Sequence, residues 1–169
     1  SSAASDVYKR QGIPINTNLC YSSPKVVSSF VEKVTTYAQM HPEVDYLHIW
    51  LADAFNNHCE CHACKKHLPS DLYVHLLNEL DKALSEKGLT VKIVFLIYEE
   101  LLWAPEKEQL ANPDRFVMMF APISRTFLHS YEIPDEFPAP PEYQRNQITL
   151  PVNLGENLSF LAQWKKVFN

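Results

Sequence analysis

The 169 residues can hold one substantial core, and a composition 46% hydrophobic and 21% charged is that of an ordinary globular domain, neither disordered nor fibrous. A formal net charge of −5 and the lack of any Lys/Arg block argue against non-specific nucleic-acid binding, and no apolar run of about 18 residues offers a membrane span. The expected partner is therefore a neutral or weakly polar ligand, with no nucleic acid and no membrane, and the compartment, secreted or cytoplasmic, stays open.

Residues 1–11, SSAASDVYKRQ, have no hydrophobic period and resemble a translated adapter, so the fold is expected to occupy 12–169. Residues 15–21 alternate: Ile15, Thr17 and Leu19 share one side, and Asn16, Asn18 and Cys20 the other, which predicts a first strand with a polar interior face. Ser22-Ser23-Pro24 predicts a helix start, and Val27, Phe30, Val31, Val34, Tyr37 and Ala38 follow at helical spacing as far as His41-Pro42. A second strand is expected over 46–52. It opens at Asp53 into a polar loop carrying Cys59, Cys61 and Cys64, and Ser70 is the expected cap of a second helix with Leu72, Leu76, Leu77, Leu80 and Leu84 as its stripe.

Residues 91–98, VKIVFLIY, form a nearly continuous apolar run, which is how a strand buried on both faces of a parallel sheet reads. Glu99 and Glu100 end it, Leu101, Leu102 and Trp103 make an apolar lip, and Pro105 is placed to open a short helix. A further strand is expected over 115–121. The proline-rich stretch 122–151, with Tyr131, Phe137 and Tyr143, is too long for a plain connector and reads as a functional loop; Leu154, Leu158, Leu161 and Trp164 mark a last helix. This order, strand then helix about four times, predicts an α/β fold. It is expected to be a partial (β/α)8 TIM barrel of about four βα units with outer helices, a fragment because a complete barrel takes roughly 250 residues.

The stretches DAFNNHCECHACKKHLPSDLYVHLLNELDKAL and KIVFLIYEELLWAPEKEQLANPDRFVMMFAPISRT resemble a domain-of-unknown-function family of bacterial glycoside-hydrolase-like barrels. The Cys-x-Cys-x-x-Cys after an Asp/Asn-rich strand end is the most specific mark of that resemblance. The family looks like the barrels of β-hexosaminidases and α-glucuronidases, which implies saccharide as ligand, carbohydrate processing as activity, and the remainder of a barrel in a longer chain as partner. Fold alone does not set function.

Glycoside hydrolysis generally needs two carboxyl groups flanking the scissile bond, about 5 to 5.5 Å apart for retention and wider for inversion. Asp53 and Glu100, each ending a strand of adjacent units, are the expected catalytic pair, with Glu99 turned toward the helices by alternation. Strand-end carboxylates also cap helices or pair with Arg125 or Lys107, and that is the competing role. Tyr98, Trp103, Trp50 and Tyr131 are aromatic surfaces on which sugar rings could stack. Asn56, Asn57 and Arg125 could hydrogen-bond hydroxyls or a uronic carboxylate. Trp50, inside a strand, reads rather as core, and His48 and His75 as structural.

No cofactor is required by this chemistry, but the cysteines form a local device. Cys59, Cys61 and Cys64 with Cys20, or with His58 or His62, suit tetrahedral zinc. A disulfide from Cys64 to Cys59 or Cys20 is the rival, and free thiols the third possibility. An enzyme, a non-catalytic sugar-binding barrel and a structural fragment thus compete, and only the first needs Asp53 and Glu100 at one cleft.

Overall fold

The computed structural model describes residues 17–53, 56–128 and 135–168. Among them lie three α-helices, α1 (Pro24–Met40), α2 (Pro69–Glu86) and α3 (Leu154–Phe168), and three strands, β1 (Tyr46–Ile49), β2 (Lys92–Ile97) and β3 (Phe116–Phe120). The sheet order is β1-β2-β3 and both pairings are parallel, with Ile49 opposite Phe95 and Ile97 opposite Phe120. No helix among the described residues is long and apolar enough to cross a membrane.

Local chemistry accounts for the helices. Ser23 stands at the N-cap of α1 in extended conformation with Pro24 following, where a missing N–H costs nothing. In α2 Pro69 occupies that position and Leu68 is the cap. Ser70, expected as the cap, is instead a buried residue of the first turn, and Asp71 Oδ2 accepts the Leu68 N–H at 3.1 Å. Asp71 Oδ1 also accepts the N–H groups of Glu106 at 2.9 Å and Lys107 at 2.7 Å. The short helix expected after Pro105 does not form: residues 103–112 contain no α-helix, and β2 reaches β3 through the 3₁₀ turns Glu99–Leu102 and Pro113–Arg115.

The expected partial (β/α)8 TIM barrel of about four βα units is therefore corrected: the chain is a small α/β domain on a three-stranded parallel sheet, and only the β1-to-β2 connection carries an α-helix. The expected first strand over 15–21 also departs from this. Residues 15 and 16 lie outside the described residues, and 17–20 take no strand pairing, because Asn18 bonds to Asn57 and Ala52 rather than to a ladder.

The helices cover one face of the sheet. Leu47, Ile49, Ile93, Phe95, Ile97 and Phe116 meet Val27 and Ala38 of α1, the Tyr73-to-Leu84 stripe of α2 and Trp164 of α3 in one buried cluster. Trp164 donates its Nε1–H to the carbonyls of Leu101 and Leu102, at 2.8 and 3.1 Å, which holds α3 against the turn that follows β2. On the other face Tyr46, Trp50, Val117 and Met119 are exposed, so Trp50, at 49% exposure, is not the core residue its strand position suggests.

Tyr73 shapes the end of the sheet. Its hydroxyl donates to the Ile49 carbonyl and accepts the Leu96 N–H at 3.2 Å, at the point where the β1–β2 register stops. The hydroxyl thus bridges the two backbones there, and the chain beyond β1 turns into the loop that bears Asp53.

Candidate active site and cysteine cluster

Asp53 and Glu100 come from the segments leaving the carboxyl ends of neighbouring parallel strands, the position where such sheets present working groups. Tyr98 stands with them, donating its phenolic hydrogen to Asp53 Oδ1 at 2.9 Å. Burial, then the bond to Asp53, raises the pKa of that phenol, which keeps it a donor. Glu100 is 3% exposed: its Oε1 accepts the Asn56 N–H at 2.8 Å and its Oε2 lies 3.6 Å from His58 Nε2. Burial, and after it the Arg145 charge, pulls His58 down to about 3, so its ring is neutral and this contact is not an ion pair.

Burial pushes the Glu100 carboxyl up to about 7, against an opposing pull from the Asn56 hydrogen bond and a further push from Glu99. Glu99 does not turn toward the helices. The strand ends at Ile97, so alternation no longer applies, and Glu99 lines the same small space as Tyr98 and Glu100. It takes φ +51°, a strained conformation for a non-glycine residue, and Asn56 opposite takes φ +56°. Burial and the Asp53 charge raise the Glu99 carboxyl as well. Sequence reasoning missed Glu99 because nothing local signals a left-handed Glu.

A stability prediction follows from Glu100. Its folded pKa exceeds the unfolded value of 4.5, so its stabilising contribution is complete below pH 4.5 and is lost as pH rises through 7. That loss is on the order of 3 kcal/mol. In urea melts, Glu100→Gln is expected to gain on the wild type between pH 5 and pH 8; a constant difference across that range would show a carboxyl that titrates normally.

The other expected binding residues divide. Asn57 is fully buried and its amide is spent internally: Oδ1 accepts from Asn18 Nδ2 at 2.7 Å, and Nδ2 donates to the Ala52 and Asp53 carbonyls at 3.2 and 2.8 Å. It shapes the loop rather than meeting a ligand, while half-buried Asn56 works through its backbone. Trp103 is 7% exposed, packed edge-on against Tyr143 and Phe160 with its Nε1–H on the Pro141 carbonyl at 2.7 Å, so no ring face is open for stacking. Arg125 lies beyond β3 with its guanidinium 4.5 Å from the Phe127 ring centre. Tyr131 lies outside the described residues. The space bounded by Asn18, Ala52, His58, Tyr98, Glu99 and Glu100 is only about 10 Å³, room for about one water. A cavity of about 970 Å³ lies elsewhere, between α1 and α2, and contains none of these carboxyls.

Cys20, Cys59, Cys61 and Cys64 converge, their sulfurs all within 4.8 Å of one another. All four are free thiols, so neither expected disulfide is present. His62 is not needed as a fourth ligand, and His58 faces Glu100 instead. The loop is fixed from a distance by Arg145, whose Nη2 donates to the carbonyls of Cys64 at 3.1 Å and His67 at 2.9 Å and whose Nη1 pairs with Glu60 at 3.5 Å. Arg145, in the proline-rich stretch, was not singled out from the sequence.

A family model described as "Domain of unknown function (DUF4838)" matches residues 5–148. Neither the curated proteins nor the solved structures give a match.

Proposed function

The chain belongs to the DUF4838 family, and on that premise we propose that it processes saccharide, cleaving a glycosidic bond with Glu100 as proton donor and Asp53 as carboxylate partner. One observation carries the reading: two carboxyl groups leave adjacent strand ends, Asp53 exposed and hydrogen-bonded by the Tyr98 phenol, Glu100 buried with its pKa pushed up to about 7. Carboxyls whose surroundings differ in this way are how one site supplies an acid and a carboxylate together. Saccharide as the substrate class rests on the sequence-based expectation that residues 53–84 and 92–126 resemble carbohydrate-processing proteins.

The space beside Glu100 holds about one water, so the sugar lies over the exposed rim of Asp53, Tyr98 and Glu99 and the proton reaches the glycosidic oxygen through that water. Asp53 then either meets the anomeric carbon or activates the incoming water. Trp50, exposed just beyond β1, is an aromatic side chain three positions before Asp53. The test is a panel of aryl and alkyl glycosides, uronides included, assayed with the wild type and Asp53→Asn. Turnover of at least one member, lost in the variant and declining above pH 7 in the wild type, is expected; no turnover of any member would remove the hydrolase reading.

A further inference from the structure

We propose that Cys20, Cys59, Cys61 and Cys64 form a four-thiolate zinc site that fastens the segment entering α1 to the loop leaving β1. Four sulfurs about 2.3 Å from a central zinc stand about 3.8 Å apart along each edge of the tetrahedron. Cys20 Sγ is 3.7 Å from Cys61 Sγ and 3.8 Å from Cys64 Sγ, and no pair exceeds 4.8 Å. A disulfide would draw one pair to about 2.05 Å and leave the remaining two without a role. Thiols are weak hydrogen-bonding groups, so mutual bonding is a poor reason for four of them, from segments 39 or more positions apart, to gather at one point.

The surroundings suit the charge. Four thiolates around one divalent cation leave net negative charge, which needs donors aimed at sulfur. The Cys64 N–H points at Cys61 Sγ at 3.4 Å, closing the Cys-x-x-Cys turn. Ser22 Oγ lies 3.0 Å from Cys64 Sγ, 3.4 Å from Cys20 Sγ and 3.6 Å from Cys61 Sγ, a second-layer hydroxyl shared by three ligands. The Arg145 guanidinium, bonded to the Cys64 carbonyl, adds positive charge behind the loop. Cys64 is buried, Cys20 and Cys59 are half-buried and Cys61 is exposed, so the ligand set is anchored at one end and open to an incoming ion at the other. Four soft ligands in tetrahedral array select zinc over magnesium or calcium, and each thiol releases its proton to solvent as the metal binds. The role is structural, because all four positions are filled by protein and none is left for substrate.

The full chain, purified without a histidine tag and without added reductant, tests this by metal analysis, thiol titration after denaturation, and replacement of zinc by Co²⁺. About one zinc per chain with four titratable thiols is expected, and the cobalt form should show the intense visible bands and sulfur-to-metal charge transfer of a tetrahedral thiolate site. Cys61→Ser, at an exposed position where packing is not at stake, should weaken the charge-transfer band and shift the visible bands, and Cys20→Ser should do the same. Failure to bind zinc or cobalt when the metal is supplied to reduced protein would overturn the site. So would two titratable thiols, which mark a disulfide, or an unchanged cobalt spectrum in Cys61→Ser. None of these readouts depends on saccharide turnover.

Discussion

Glu100→Gln is expected to slow hydrolysis of an alkyl glycoside by about 10²- to 10⁴-fold while leaving a dinitrophenyl glycoside nearly unaffected. An alkoxide leaves poorly without a proton, so its departure depends on the acid; a dinitrophenolate leaves unaided. Gln retains an Oε1 to accept the Asn56 N–H, and it is isosteric with the protonated form of the glutamate it replaces, so the exchange leaves the loop in place. Asp53→Asn should depress both substrates, since Asp53 acts at the anomeric carbon whichever group departs. The acidity of Glu100 also sets the pH profile of the slow substrate, which should lose its decline above pH 7 in the variant. Equal losses on both substrates would make Glu100 part of the scaffold that holds Asn56, and the acid would have to be sought at Glu99.

Asp71→Ala is expected to lower stability by about 3 to 5 kcal/mol, the cost of stranding buried partners of a charged group. Asp71 is 1% exposed and three backbone amides converge on it, those of Leu68, Glu106 and Lys107. Removing it leaves the start of α2 uncapped and frees the chain between the two 3₁₀ turns, so the expected change is a large drop in the urea midpoint rather than a local one. Asp71→Asn keeps an oxygen for one side of this arrangement and should lose roughly half as much. A loss under about 1 kcal/mol for the alanine variant would mean that water replaces the carboxylate, and that the segment after Trp103 is held by something else.

Elements governed by neighbours in sequence were legible. Ser23-Pro24 and the leucine stripe of α2 mark their helices, and the apolar run of β2 marks a strand central in the sheet. Cys20 was also legible, since its side of the alternating segment is the side that meets the cysteine loop, although that segment forms no strand pairing among the described residues. What failed depends on distant partners. The third βα unit was inferred from a strand-helix rhythm, but no α-helix follows Pro105, where the Glu106 and Lys107 amides turn instead to Asp71, 35 and 36 positions earlier. Trp50 and Trp103 exchanged environments for a similar reason: the helices cover only one face of the sheet, leaving Trp50 open, while Tyr143 and Phe160 close over Trp103. Asn56 and Asn57 read alike as adjacent amides, yet the second is taken up by Asn18 and by the Ala52 and Asp53 carbonyls. Arg145 reaches the Cys64 carbonyl across 81 positions, a pairing that no local pattern records.

The Glu100 carboxyl is expected to keep its proton toward neutral pH, while Asp53, leaving the neighbouring strand end, is exposed. A carbon-13 NMR titration of the side-chain carboxyls, with Glu100→Gln identifying the resonance, measures it directly. A midpoint near 7 is the expected result for Glu100. A midpoint at the ordinary carboxylate value of 4.5 would contradict it.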